Sequence, residues 1–258
     1  MTKCLVCALL AVFSGQLIAD EAALVKVFTR SGIEGTTVIS SLSGKQTFIY
    51  NESRAHQRLS PASTFKIPNT LISLEERVIS GKDDVLKWNG RIHGIADWNH
   101  DQTLESAFKI SCVWCFQELA GQVGAERYRA YLQTLAYGEL SEPFSETTFW
   151  LDGALTISAI EQVEFLKKLY QRSLPFSPSS YETLRAIMLV EKTPDYSIWA
   201  KTGWATRVTP AVGWYVGYVE AQTDQWFFAT NIVAEHESDL PLRQQLTIEA
   251  LQAVGVLE

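Results

Sequence analysis

Apolar and polar positions change rhythm twice along this 258-residue chain. Short runs rich in β-branched and aromatic residues come first, at Val25–Thr29, Thr37–Ser41 and Thr47–Tyr50. They read as strands, with Ser43-Gly44-Lys45 turning the last two into a hairpin. The period then lengthens to that of a helix. Ser63–Glu76, opened by the nearby Pro61, is followed by Thr103–Lys109, Cys115–Ala120, Ala125–Leu135 and Ile160–Tyr170. From Ser197 the strand rhythm returns, in Ser197–Thr202, Gly213–Glu220 and Trp226–Ile232, with Gln222-Thr223-Asp224 as a polar turn. Pro241 opens a last helix, Leu242–Val254. Strands at both ends with helices between them predict an α+β fold. One antiparallel sheet is assembled from both termini, helices cover its faces, and an inserted all-helical lobe leaves a cleft beside it.

The first residues change the picture of where the chain goes. Lys3 supplies a positive start, Cys4–Phe13 is apolar but too short to span a bilayer, and small residues lead to a cut after Ala19. Residues 1–19 therefore read as a secretory signal, and residues 20–258 as a single exported domain of the bacterial periplasm. A formal net charge of −7 and the lack of any Lys/Arg-rich run argue against nucleic acid and anionic membranes as partners. Past the signal only Cys112 and Cys115 remain. Two buried thiols are the first reading of this pair, and a local disulfide is the alternative. A redox-active pair is the third, although no βαβ pattern surrounds it.

Candidate chemistry sits in three short motifs: Ser63-Thr64-Phe65-Lys66, Ser111-Cys112-Val113 and Lys201-Thr202-Gly203. Three residues apart on a helix, the Ser63 hydroxyl and the Lys66 amine share a face, so the amine can take the serine proton once something keeps it neutral. A position near a helix N-terminus also suits Ser63 to oxyanion stabilisation. Ser111 can relay a proton. Lys201 and Thr202, on a strand edge, suit a substrate carboxylate, and Gly203 allows close approach to the strand backbone. A second Ser-x-x-Lys, Ser106 to Lys109, reads as surface helix. His56, His93, His100 and His236 show no pairing pattern with a serine or acid, and there is no G-x-S-x-G, H-E-x-x-H or phosphate loop.

In this order, with Tyr137-Gly138 and Phe149-Trp150-Leu151 between them and Leu242-Arg243 in the last helix, the motifs resemble the class D serine β-lactamases, the oxacillinases. The resemblance spans nearly all of residues 20–258. Class A β-lactamases and penicillin-binding proteins carry Asn at the third position of the middle motif, where this chain has Val113. An apolar neighbour desolvates Lys66 and favours its neutral amine, which can add carbon dioxide. The resemblance implies that carboxylated Lys66 is the general base for acylation at Ser63 and for deacylation, with Trp150 donating to the carbamate. It implies that Ser111 protonates the lactam nitrogen, that Lys201, Thr202 and Arg243 bind the substrate carboxylate, and that the backbone N–H groups of Ser63 and Trp204 form the oxyanion hole. Val113 and Leu151 would cover the carbamate, Trp98 and Trp204 would flank the cleft, and Gly203 and Tyr137 complete the expected substrate-contacting set. No metal or organic cofactor is implied beyond carbon dioxide on Lys66, and family members occur as monomers and homodimers.

Two details bear on the spectrum. Trp204-Ala-Thr-Arg207-Val-Thr-Pro210 is similar to the loop of carbapenem-hydrolysing class D enzymes, which brings Arg207 into the substrate-contacting set. The family's Tyr-Gly-Asn is here Tyr137-Gly138-Glu139, and an acid facing the cleft would repel anionic substrates. The main alternative function is a β-lactam sensor or penicillin-binding domain that acylates and stalls. A hydrolase slowed by Glu139 and a thiol–disulfide protein are the others.

Overall fold

The computed structural model describes residues 21–222 and 224–257. The expected signal segment lies outside the described residues. Six strands form one antiparallel sheet in the order β2-β1-β10-β9-β8-β7. They are β1 (Gly35–Ser41), β2 (Thr47–Tyr50), β7 (Leu189–Lys192), β8 (Tyr196–Ala205), β9 (Val212–Ala221) and β10 (Gln225–Val233). β1 joins β10 with Val38 opposite Ala229, so the two ends of the chain close the sheet as expected.

Neighbouring positions on each strand bury opposite faces. Val38, Trp199, Val216, Tyr218 and Phe227 join one core, whereas Ile39, Ile198, Tyr215, Val219 and Phe228 join another. A helix over residues 21–31, α1, and the last helix, α9 (Leu240–Ala253), cover the second face. The first carries α7 (Ala159–Tyr170), which packs on β1, β9 and β10. Beyond it lies the helical lobe. This comprises α3 (Lys66–Glu75), α4 (Leu104–Lys109), α5 (Val113–Val123), α6 (Ala125–Leu135) and α8 (Pro178–Met188). A short turn, α2 (Glu52–Ala55), and two small hairpins complete the architecture. The hairpins are β3 (Val85–Leu86) with β4 (Gln102–Thr103), and β5 (Glu139–Leu140) with β6 (Leu155–Thr156).

One expected strand is a helix. Val25–Thr29 lies within α1, where Leu24, Val27 and Phe28 are buried and Val25 is half exposed. That is an i, i+3, i+4 stripe, and docking it against α9 outweighs the β-propensity of the valines. The edge strand β7 and the helix α8 were not foreseen. α8 begins in sequence as Ser177-Pro178, with Ser177 accepting from the Ser180 N–H as N-cap. Cys112 and Cys115, read first as free thiols, are joined as a disulfide. Cys112 is the N-cap of α5 and Cys115 is its third residue, so the spacing brings the two sulfurs to one helix end.

Candidate active site

Ser63 lies on a tight 3-10 turn, Ala62–Phe65, that runs straight into α3. Its neighbour Ala62 has φ 47°, a left-handed conformation that a Cβ disfavours and that surrounding bonds must hold. They are present. The Trp150 carbonyl accepts from the Ala62 N–H at 2.9 Å and from Ser60 Oγ at 3.0 Å. Trp214 Nε1 donates to the Ser60 carbonyl at 2.9 Å. Behind the turn, Tyr137 Oη donates to Gln162, whose Nε2 donates to Thr64 Oγ1 at 2.9 Å, and Thr64 Oγ1 donates to the Pro61 carbonyl. Phe65 anchors the base of the turn against Trp150, Phe149, Tyr128 and Tyr137.

One helical step on, Lys66 Nζ reaches Ser63 Oγ at 3.1 Å. The lysine is 1% exposed, has the Phe116 ring 4.8 Å from Nζ, and makes no ion pair among the described residues. Burial, and then the positive charge of Lys201, push its pKa well below the usual lysine range. Burial thus disfavours the charged form of the amine.

Ser111 occupies the link between α4 and α5, also with positive φ, 57°. Lys201 Nζ donates to Ser111 Oγ at 2.5 Å and to the Thr202 carbonyl at 3.2 Å. Burial, and then Arg243, lower Lys201 to about 7. β7 pairs with β8 only as far as Trp199, which leaves Lys201–Trp204 as the free edge the sequence suggested. Gly203 explains how close this edge comes to the nucleophile turn. A Cβ there would sit 2.9 Å from the Pro61 carbonyl oxygen and 3.1 Å from Thr64 Cγ2. From α9, Arg243 donates through Nη1 to the Gly203 carbonyl at 2.7 Å, while its Nε is buried without a partner. Burial lowers its pKa to about 10.

A cleft of about 550 Å³ opens above these groups. Of the expected residues, Ser63, Ser111, Val113, Trp98, Leu151, Thr202, Gly203, Trp204, Arg207 and Arg243 line it. Lys66 and Lys201 lie beneath, bonded to the two serines. Trp150 is fully buried, stacks on Phe65, and its Nε1–H has no partner. Tyr137 is the exception. Expected to touch substrate, it is 1% exposed and packs on Phe65 and Phe165 in the core. Gly138, at φ 65° with the Thr156 carbonyl against its α-carbon, turns the chain there and leaves Tyr137 inside.

Glu139 does not face the cleft either. It is exposed and pairs with Arg58, which also holds Glu161. The second Ser-x-x-Lys lies on the exposed side of a helix, with Ser106 in the capping box of α4 and Lys109 paired with Glu105, but Lys109 also lines the cleft. Six lining residues were missed: Ile95, Lys109, Ile110, Thr206, Glu237 and Leu240. Lys109 and Ile110 stand just before Ser111, Thr206 just before Arg207, and Leu240 one helical turn before Arg243, whereas Ile95 and Glu237 carried no signal.

The penicillin-binding protein transpeptidase domain family matches residues 34–252. Among named relatives, β-lactamase OXA-48 of Klebsiella pneumoniae is 41% identical over 230 residues, covering 89% of this chain and 87% of that protein. OXA-10 of Pseudomonas aeruginosa is 36% identical over 93% and 91% of the two chains. The chain is a class D serine β-lactamase. The class D β-lactamase YbXI from Nostoc superposes on this enzyme with TM-score 0.88 at 39% identity, over 91% of this chain and 99% of that one. The α+β fold of this class D enzyme is thus shared over 91% of the chain. No described helix of the β-lactamase is long and apolar enough to cross a membrane.

Proposed function

We propose that this β-lactamase opens the lactam amide through an acyl-enzyme on Ser63 Oγ, with Lys66 as the site of the general base. The carrying observation is the 3.1 Å approach of Ser63 Oγ to a buried lysine that has no acidic partner among the described residues. In acylation, Ser63 Oγ gives up its proton on the Lys66 side and bonds to the lactam carbonyl carbon, and the C–N bond breaks. Ser111 Oγ passes its proton to the departing nitrogen and is supplied from Lys201 Nζ, to which it is already bonded. Water then cleaves the Ser63 ester and restores the hydroxyl. Backbone N–H groups of Ser63 and Trp204 receive the developing oxyanion, on two segments that Gly203 brings into contact. Thr202 and Arg243 bind the substrate carboxylate, since both line the cleft and a guanidinium is a planar fork matched to a carboxylate.

The surroundings of Lys66 fit a carbamate. Burial disfavours the charged form of its amine, and the orphaned Trp150 Nε1–H is a buried donor suited to an anion. Carbon dioxide on Lys66 Nζ would supply an anionic carboxylate oxygen that accepts the Ser63 proton without placing a positive charge on the buried amine. Trp150 would hold it, and Val113 and Leu151 would exclude bulk water. Trp98 and Trp204 flank the opening, and Arg207 stands at its rim.

Export to the periplasm after removal of residues 1–19, a single domain over residues 20–258, and action as a monomer or homodimer complete the proposal. Carbapenems belong among the substrates, given the Trp204–Pro210 loop, and failure to cleave imipenem in a single turnover would refute that part. The test of the reading as a whole is intact-protein mass spectrometry during turnover of a penicillin. A transient adduct mapping to Ser63 and absent from Ser63→Ala supports it. A permanent adduct would mark a sensor, and turnover by Ser63→Ala would overturn the proposal.

A further inference from the structure

The disulfide occupies a place that the mechanism above does not use. Cys112 and Cys115 are both 0% exposed, and they stand directly after Ser111 and around Val113, which lines the cleft. The bond ties the N-cap of α5 to its first turn, where the Cys115 N–H also points at Cys112 Sγ. The next residue, Phe116, places its ring under Lys66 Nζ. Ser111 itself is a non-glycine residue at φ 57°. The peptides on both sides of it are held to α4, the Ser111 N–H donating to Phe108 at 3.3 Å and the Cys112 N–H donating to Ala107 at 2.9 Å. A left-handed serine persists only where its surroundings over-determine it. Here the backbone bonds tie Ser111 to α4, and the disulfide locks the next residue, Cys112, to the first turn of α5.

We propose that the Cys112–Cys115 disulfide is a positioning element for Ser111, holding its hydroxyl against Lys201 so that the proton reaches the lactam nitrogen. This rests on the reading of Ser111 as proton donor. Opening the bond takes two electrons and two protons from a dithiol reductant, which is itself oxidised to a cyclic disulfide, and leaves two buried thiols. The fold survives, since two cysteines pack as small apolar residues. Ser111, however, gains the freedom to leave its strained conformation. The fraction of molecules competent for proton transfer falls, and with it kcat, whereas the carboxylate-binding groups and KM stay as they were.

The test uses the full enzyme in three forms: as isolated with the bond closed, unfolded with dithiothreitol and refolded under it, and as the double variant Cys112→Ala/Cys115→Ala. Ser111→Ala runs alongside. Thiols are counted by alkylation and mass after unfolding, and active sites by the Ser63 adduct, so that loss of folded protein is divided out. Expected is no alkylation at Cys112 or Cys115 in the first form and alkylation of both in the second. In both the second form and the double variant, kcat per acylatable site is expected to fall roughly tenfold, for a strained serine freed on one side. KM should hold within about twofold, the range of a conservative change away from the binding groups. Reoxidation of the second form should restore the rate.

Three results overturn the proposal. One is free thiols at Cys112 and Cys115 in the untreated enzyme. Another is an equal kcat per site in the open and closed forms while Ser111→Ala is crippled, which leaves the reading of Ser111 intact. The third is full turnover by Ser111→Ala, which removes that reading itself. Should the double variant not fold, the refolded dithiol form decides.

Discussion

Gly203→Ala tests how tightly the free edge of β8 is fitted to the nucleophile turn. A Cβ at 203 would meet the Pro61 oxygen at 2.9 Å, Thr64 Cγ2 at 3.1 Å and Thr64 N at 3.3 Å, all on the turn that carries Ser63. Ordinary contact begins near 3.4 Å, so the two segments must separate by about 0.5 Å. The turn cannot simply retreat, because Trp150, Trp214 and Gln162 hold it from behind. Overpacking of this kind costs about 1–3 kcal/mol. At roughly 2–4 °C per kcal/mol for a chain of this size, Tm should fall by several degrees. Catalysis should suffer independently of folding. A misplacement of 1 Å costs on the order of a hundredfold, so half of that predicts about a tenfold loss of kcat/KM. The assay is hydrolysis of a chromogenic cephalosporin, normalised to sites that form the Ser63 adduct, beside a thermal melt. An unchanged Tm with kcat/KM preserved within twofold would refute the reasoning about the fit.

Other substitutions probe separate parts of the site. Trp150→Phe keeps the stack on Phe65 but removes the orphaned donor. Half-saturation by bicarbonate should move upward, with less ¹³C-bicarbonate label on Lys66 by NMR, while equal labelling would count against the role given to that indole. Lys201→Met replaces a buried amine that titrates near 7 when folded but near 10.5 when unfolded. Between those values the unfolded chain binds the extra proton, so the native state gains stability as pH rises, and the burial penalty is greatest below 7. The variant should therefore melt above wild type at pH 6, with the gap closing towards pH 10, and should lose turnover. Glu139→Gln should keep kcat/KM within about twofold, because Glu139 is an exposed partner of Arg58. A large gain in rate would show that its charge does reach the substrate.

The motifs could be read because each packs its chemistry into three or four neighbours. Ser63 and Lys66 share a helical face by spacing alone, and a strand edge ending in glycine marks a close approach. Composition and rhythm were also enough for the two-ended sheet, since β1 and β10 are dense in β-branched and aromatic residues. What escaped depends on tertiary partners. Val25–Thr29 favours a strand locally and becomes helical only because α9 offers a groove for Leu24, Val27 and Phe28. Whether Tyr137 faces substrate or core depends on the turn at Gly138, and whether Glu139 faces the cleft depends on Arg58, 81 residues away. Ile95 and Glu237 reach the cleft from loops with no periodic pattern, so nothing in the sequence distinguishes them from other surface residues. The disulfide was among the alternatives, but a C-x-x-C spacing on a helix end suits free thiols equally well.

The account depends most on Ser63 and on Lys66 acting as general base in its carboxylated form. The decisive measurement is steady-state hydrolysis of a penicillin by enzyme depleted of carbon dioxide and then titrated with bicarbonate, with Ser63→Ala and Lys66→Ala alongside. Turnover that rises with bicarbonate in the unmodified chain, and is lost in both variants at every concentration, is the predicted result. Full activity without bicarbonate, or activity surviving in Lys66→Ala, would contradict it.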